Sequence, residues 1–512
     1  MFRQYFRRHR LLALLIGLAV LFFAVSVVRL SGVAADDSFI HRRIALNYQQ
    51  TGKPYFNLDQ RVMVTSSPLW TQMLALSGAV LPLANPVPCL EMAFILVGAA
   101  AGYLLLWERH RDQLSGLILP AIAFFFICVA DLPSALDQME TPCAVALIMA
   151  GVLGVRKRRT WGVSLLVLAS FARYECVLLC VLAVIWVSVR RRWTKWSLVS
   201  AAVTGVSGLA WLLWEYGTFI PNTVVAKSHL YVMTYRQVIR GFFSIPQALV
   251  CLIWGTIWWF YGRNRRYEHS GAAAMLVGFG VCLGMAYLVR KTYIFSWYQP
   301  LVLVPLSIGV LLWTNPQRVR TTAIGAVFAG AFLLPSAMTD MGLVSAALRG
   351  ATGSIPDFPL VARVHAYRRI GAALNTECPT GILMTSEIGA LGWAFHGEIR
   401  DGAGLASPEA IRYHPMRVPQ ERRSGSLGEI PAGFVRDYHP DLIVSYDLLA
   451  ESALPAARSL GYLDYAYPLF VRGDRASATN LWEARQMHVL VAPDGRCSPT
   501  AVKSAVGAAL EK

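Results

Sequence analysis

Apolar residues over the first two-thirds of the chain come in long uncharged runs, and short clusters of arginine and lysine separate them. A run of about 20 apolar residues is long enough to cross the hydrocarbon core of a bilayer. Threading the runs predicts eleven membrane spans, near residues 11–30, 89–107, 114–132, 142–155, 161–172, 175–189, 197–217, 241–262, 271–289, 301–314 and 321–338. Those at 142–155 and 161–172 are short for a full crossing. One further run, 69–84, is broken by Pro82, Pro86 and Pro88 and reads as a helix lying on the outer surface. Val33 to Ala35 imitate a signal-peptide cleavage site, but the 18 residues of 11–28 are long for a signal core and adequate for a span.

The basic clusters test this threading. With the N-terminus in the cytoplasm, cytoplasmic segments hold Arg3, Arg7, Arg8 and Arg10, then Arg109 and Arg111, then 156–159. They also hold 190–192 with Lys195, then Arg263, Arg265 and Arg266, and finally Arg318 and Arg320. Positive charge on the cytoplasmic side is what orients membrane helices. Counting 69–84 as a span would reverse every later cluster. An odd number of spans leaves the C-terminus outside, so the threading predicts a multi-pass protein of a bacterial inner (plasma) membrane.

From residue 340 the pattern changes. No 18-residue apolar run occurs there, and short apolar strands at 381–384 and 441–445 alternate with helical stretches such as 361–374. Residues 340–512 therefore read as a soluble α/β extracytoplasmic domain after an all-α polytopic membrane domain over 1–339. Residues 31–88 form the first outer loop of the membrane part.

Composition sharpens the division. Of 512 residues, 55% are hydrophobic and only 15% charged, against about 25% in ordinary soluble proteins. The net charge of +17 raises the question of nucleic acid. Residues 340–512, however, carry 17 basic and 18 acidic side chains, so the excess belongs to the apolar part. A nucleic-acid reader places a basic stripe on a folded polar domain, and that class is set aside. Seven cysteines lie in or beside apolar runs. Cys378 and Cys497 alone lie in the outer domain, and they are a disulfide candidate if that compartment is oxidising.

Acidic residues of the membrane part fall mostly on one side. Asp36, Asp37, Asp59, Glu91, Asp131, Asp137, Glu140, Glu175 and Glu215 all sit in outer loops or at outer helix ends, which predicts a polar cavity opening outward. The adjacent pair Asp36–Asp37, directly after the first span, is the sharpest feature. It reads either as catalytic carboxylates or as an acidic first turn of a helix. Arg173-Tyr174-Glu175 stands between two apolar runs, as a hairpin with a local ion pair or as part of a site. Residues 217–227 read as an outer loop whose Lys227 either meets a phosphate or is a plain surface lysine. No metal-ligand spacing, glycine-rich phosphate loop or serine elbow is present. Whether a divalent cation sits between the paired carboxylates stays open.

Together these strings resemble the GT-C integral membrane glycosyltransferases, most closely the terminal arabinofuranosyltransferase family of mycobacterial cell-wall synthesis. Residues 36–70, DDSFIHRRIALNYQQTGKPYFNLDQRVMVTSSPLW, are similar to the family's first outer loop. Met139-Glu140-Thr141, Arg173-Tyr174-Glu175, Pro221-Asn222-Thr223 with Ala226-Lys227, and Trp297-Tyr298 before Pro300 are similar to its later motifs in order. Residues 387–392 and 401–405 are similar to glycine-rich segments of its outer domain. Gln138 and Tyr174 depart from the family's glycine and proline, and 62–65 lack its glutamate-glycine-tyrosine.

The resemblance implies an enzyme moving a sugar, such as arabinofuranose, from a polyprenyl-phosphate donor to a glycan or exported-protein acceptor. Asp36 or Asp37 would act as base toward the acceptor hydroxyl. Arg173, Lys227, Arg290 and Lys291 would meet the phosphate charge. Glu140 and Glu175 would orient sugar hydroxyls or hold Arg173, and Asn222, Trp297 and Tyr298 would complete the substrate site. Two rivals stand beside this reading: a transporter or flippase of a lipid-linked sugar, and a non-catalytic assembly or receptor protein.

Overall fold

The computed structural model describes residues 34–80, 86–110, 115–189, 195–230, 233–242, 270–313, 359–416, 429–472 and 482–511, with a few residues between 10 and 21. The expected span at 321–338 lies outside the described residues, as do most of 11–30 and all but two residues of 241–262.

Helix α1 (Asp36–Thr51) opens the first outer loop and ends at Gly52, whose φ of +73° suits glycine. Then follow α2 (Pro68–Val80), α3 (Val87–His110), α4 (Ser115–Leu136), α5 (Thr141–Arg156), α6 (Trp161–Ala172), α7 (Val177–Val189) and α8 (Lys195–Tyr216). After them come α9 (Asn222–Leu230), α10 (Tyr235–Phe242), α11 (Ser270–Val289) and α12 (Gln299–Trp313). Among the described residues three helices are long and apolar enough to cross a membrane: Val87–Arg109, Lys195–Tyr216 and Gly271–Val289. Shorter apolar helices occupy five other expected spans. Eleven full-length spans are therefore not what the described residues show.

The reason is visible in burial. Helix α5 has 16 residues, 13 of them buried, and α6 has 12. At 1.5 Å per residue such helices reach about 18–24 Å, short of the roughly 30 Å hydrocarbon core. They pack against protein rather than lipid: α3 on α4 and α5, α5 on α6, α6 on α8. The α5–α6 approach needs Gly162, where a Cβ would lie 2.4 Å from the Val155 nitrogen. By contrast α8 shows Leu198, Val203, Val206, Leu209 and Leu213 exposed along its length, the surface a lipid-facing helix presents. On the predicted cytoplasmic side Lys157 pairs with Glu108 at 2.7 Å.

The outer part contains α13 (Pro359–Glu377), β1 (Ile382–Thr385), α14 (Gly389–Ala394), β2 (Glu398–Asp401), α15 (Ala432–Tyr438), β3 (Leu442–Tyr446), α16 (Ala453–Ser459), β4 (Leu463–Arg472), β5 (Trp482–Val491) and α17 (Pro499–Glu511). Its five strands run in the order β2-β1-β3-β5-β4. The pairs β1–β2 and β1–β3 are parallel, and β3–β5 and β4–β5 antiparallel. Alternate strand residues face opposite layers. Leu383, Leu442, Val444, Val489 and Val491 join Tyr367, Ile370, Val502 and Val506 of α13 and α17. Met384, Ile443 and Leu490 meet Phe434, Val435 and Ala456 of α15 and α16. The expected strands at 381–384 and 441–445 fall on β1 and β3, one residue out of step. The antiparallel β4–β5 ribbon was not expected. Asp464 and Pro468 interrupt the apolar pattern of β4, which tolerates a proline because it is an edge strand. Cys378, just after α13, is bonded to Cys497, just before α17.

The outer layer is not a separate ball on a tether. Phe39, Ile40 and Ile44 of α1, with Ala226 and Leu230 of α9, belong to the same apolar core as α13 and the sheet.

Candidate functional site

Helix α1 is the wall between the outer domain and the membrane helices, and its two faces do different things. On one face Asp36 and Arg43 hold the ends of the six-residue helix α14. The Asp36 carboxylate accepts the Gly389 amide at 2.9 Å through Oδ2 and the Ala390 amide at 2.7 Å through Oδ1. A carboxylate there meets the free N–H groups of a helix start. Arg43 Nη1 donates to the carbonyls of Gly392 (2.6 Å) and Phe395 (2.8 Å) at the other end. Its Nε donates to Phe56 O at 2.8 Å and Nη2 to Gly397 O at 2.9 Å. A Cβ on residue 389 would stand 1.8 Å from the Asp36 carbonyl oxygen, so only glycine allows this approach. Burial, then Glu387, push the Asp36 carboxyl up to about 7, the Ala390 and Gly389 amides pulling the other way. Glu387 is itself paired with Arg363 of α13 at 2.7 Å.

Asp37 points the other way, into a narrow pocket. Its Oδ2 lies 3.1 Å from Lys227 Nζ, and its side chain keeps 27% of its exposure. Ile40 and His41, three and four residues on, line the same pocket, as helical periodicity requires. Opposite stands an ion cluster. Arg173 bonds Glu140 through Nη1 and Glu175 Oε1 through Nη2 at 2.7 Å. Tyr287 Oη donates to the same Glu175 oxygen at 2.9 Å. Glu140 is fully buried. Burial raises its carboxyl, but Arg173 and His41 outweigh that and hold it below the usual carboxylate range.

Aromatic rings floor the pocket. The Arg173 guanidinium lies 4.4 Å from the Tyr298 ring centre and Lys227 Nζ 5.0 Å from that of Phe295. Phe295 stacks on Trp297 with centroids 4.6 Å apart. Thr141 Oγ1 donates to Trp297 O at 2.6 Å and fixes this turn against α5. Leu405 of the outer domain closes one side. It follows the turn at Gly404 (φ +85°), which the buried Asp401 organises by accepting the Ala403 and Ala406 amides, both at 2.8 Å.

The structure thus brings Asp37, Glu140, Arg173, Glu175, Lys227, Trp297 and Tyr298 together. Others go elsewhere. Asn222 Nδ2 donates to the carbonyls of Gly404 (2.6 Å) and Leu405 (2.7 Å), so it fixes the pocket's edge and does not line it. Arg290 and Lys291 are exposed at the end of α11, and Lys291 Nζ lies over the Tyr235 ring at 4.8 Å. Residues 217–227, expected as a loop, turn helical from Asn222. Pro221 just before that start pre-sets a compatible φ, and Lys227 rides the last turn of α9. Of the acidic residues expected around an outward cavity, Glu91 and Asp131 are instead buried in the helix core, with 1% and 0% exposure. Packing of α3 against α4 covers them.

A divalent cation between Asp36 and Asp37 does not fit. One carboxylate is turned to backbone amides and the other to an ammonium, so their oxygens do not converge. Among the described residues no three His, Cys, Asp or Glu side chains gather as a metal site.

Sequence reasoning missed His41, Tyr287 and Phe295. His41 was within reach, because it lies four residues after Asp37 and shares its face on any helix begun by the acidic pair. Tyr287 lies inside an apolar run that gives it no signal.

No protein-family model matches the chain, and no curated protein matches it at significant similarity. In three dimensions it is similar to ArnT from Cupriavidus metallidurans, solved bound to undecaprenyl phosphate. The TM-score is 0.53 at 13% identity, over 94% of this chain and 99% of that one. The likeness is one of fold.

Proposed function

We propose that the protein is a membrane glycosyltransferase taking a sugar from a polyprenyl-phosphate donor to a cell-envelope glycan or exported protein. The reaction takes place on the outer face of the inner membrane. The observation that carries this reading is the Asp37–Lys227 pair facing the Arg173–Glu140 cluster across one pocket, at the outer ends of apolar helices. The shared fold with ArnT supports it, since that protein was solved with a lipid phosphate. The sequence resemblance adds arabinofuranose as the sugar. The lipid tail lies along the apolar helices while the sugar and phosphate enter the pocket.

Asp37 is the base. Its carboxylate takes the proton of the acceptor hydroxyl as that oxygen attacks the anomeric carbon. The bond from that carbon to the phosphate oxygen breaks, and its electron pair leaves with the lipid phosphate. Lys227 and Arg173 stabilise the charge that grows there. Arg173 is held for this by two carboxylates and by the Tyr298 ring beneath it. Asp36 has the separate task of seating α14.

The test is release of polyprenyl phosphate from polyprenyl-phosphoryl arabinofuranose by purified protein supplied with extracted cell-envelope acceptors. The wild-type chain is expected to release it, and Asp37→Asn to do so at least about 10²-fold more slowly. No release by the wild type overturns the function. Unchanged release by Asp37→Asn overturns the base.

A further inference from the structure

The ion cluster of the site is negative, and so is its proposed ligand. Among the described residues Asp37 and Glu140 line the pocket with Lys227 and Arg173, and Glu175, behind Arg173, adds a third carboxylate to the same cluster. Three carboxylates against two cations leave one negative charge before any phosphate enters. A phosphodiester donor adds another, and its cleavage to a monoester adds a further one. Like charges crowded in a partly buried site repel far more than in water. A donor that binds well there needs a positive charge brought in with it.

His41 is placed to carry that charge. Its side chain is 6% exposed and lines the pocket on the face shared with Asp37. Nε2 lies 3.5 Å from Glu140 Oε2, and Nδ1 lies 3.1 Å from Thr65 Oγ1. Thr65 Oγ1 is in turn 3.0 Å from Thr71 Oγ1, which reaches Ser67 O at 3.2 Å. Hydroxyl protons can run along this chain in either direction. With a neutral ring, Thr65 donates to Nδ1. With a charged ring, Nδ1–H donates to Thr65, Thr65 to Thr71 and Thr71 to Ser67 O. Nδ1 has a partner in both states without moving a heavy atom.

The charged groups around the ring set the balance. Burial pushes the imidazole down most strongly, Glu140 and Asp37 pull it up, and Lys227 and Arg173 push it down. Behind Glu140 lies Glu91. With the pocket empty these effects leave the ring neutral near pH 7, and one more negative charge beside Lys227 and Arg173 tips it.

We propose that His41 is the charge-compensating residue of this site: its imidazole takes up one proton from solvent when the donor phosphate binds, and releases it when the lipid phosphate leaves. The acceptor hydroxyl's proton goes separately to Asp37, so the two protons are distinct. His41 thereby acts through the pocket's charge and touches no reacting atom. The inference rests on the reading of the pocket as a lipid-phosphate sugar site.

The experiment is calorimetric titration of the detergent-solubilised full chain with a short-chain prenyl phosphodiester of arabinofuranose, whose single charge does not titrate between pH 6 and 8.5. Titration in two buffers of different ionisation heat gives the protons taken up. For the wild type at pH 7.5, uptake close to one proton is expected, with affinity falling about tenfold per pH unit above neutrality. His41→Gln keeps a hydrogen-bonding side chain, and its binding is expected to be weaker at pH 6.5 and nearly independent of pH. Binding by the wild type without proton uptake overturns the role of His41. So does an unchanged pH slope in His41→Gln. If that variant does not fold, the wild-type proton count decides alone. No binding by the wild type at any pH overturns the donor reading itself.

Discussion

Asp36 and Asp37 are neighbours in sequence with the same side chain, yet α1 turns them to opposite surroundings. The first sits against backbone amides and apolar side chains, where its oxygens are occupied by Gly389 and Ala390. The second sits in a pocket against a lysine, with part of its surface open. A carboxylate with both oxygens bound to amides is a fastener. A carboxylate that faces a pocket and keeps part of its exposure can meet a ligand. The same division repeats further along the helix, where Arg43 binds carbonyls of the outer domain and His41 faces Glu140. One helix therefore joins domain docking to the proposed chemistry.

The contrast predicts opposite phenotypes for equivalent substitutions. Asp37→Asn is expected to lower turnover by about 10²–10⁴-fold with little change in the melting temperature. Asp36→Asn is expected to do the reverse. An asparagine offers one oxygen where two amides need acceptors, so a buried N–H is left unmet at about 1–3 kcal/mol. The melting temperature falls while turnover per folded molecule stays within a few-fold. Equal loss of turnover in both variants would erase the distinction between the faces.

The outer domain's own integrity comes next. The Cys378–Cys497 bond closes a loop of 119 residues and ties α13 to α17, which pack against each other. Cys378→Ser is expected to cost about 2–5 kcal/mol of stability, read as a lower unfolding midpoint of the outer domain in denaturant. An unchanged midpoint would mean that the packing of α13 and α17 on each other, not the covalent link, holds them in place.

Gly389→Ala probes the contact itself. The added methyl has no room beside the Asp36 backbone, and overpacking of this kind costs about 1–3 kcal/mol. The expected sign is faster proteolysis between the outer domain and the helices. Gly52→Ala, at the exposed end of α1 with nothing within 4 Å, serves as the control for backbone strain alone.

Much of this was legible in the chain and some was not. The switch from long apolar runs to short strands marks where β1 and β3 lie, since burial on both faces leaves a short, mostly apolar word such as LIVSY. The β4–β5 ribbon carries Asp464, Pro468 and Glu483 within it, and no periodicity survives them. The acidic pair reads in sequence as a site or as a helix start; the structure makes it the first turn of α1 and turns Asp37 to a pocket. Which carboxylate does which depends on Gly389, 352 residues after Asp37, and local pattern holds no such information. For the same reason Asn222 reads in sequence as a substrate ligand, while its amide is bound to carbonyls of a distant turn.

A further effect, confined to one range of pH, concerns the proton on Asp36. In the unfolded chain its carboxyl titrates near 3.9, and in the folded protein burial and Glu387 raise it to about 7. Between those values the folded state holds a proton that the unfolded state has released. Stability from this group is therefore present at low pH and lost as pH rises toward 7, opposite to a salt-bridged aspartate. At about 1.36 kcal/mol per unit the ceiling is roughly 4 kcal/mol, with the pull of the two amides included. The melting temperature of the wild type, relative to Asp36→Asn, should fall between pH 5 and 7 and level off above. Glu387→Gln removes a charge that raises Asp36 and should move the fall to lower pH. Parallel wild-type and Asp36→Asn curves across that range would mean Asp36 stays ionised throughout. The fastener would then be a permanently charged cap on α14, and the only proton-exchanging groups on α1 would be those that face the pocket.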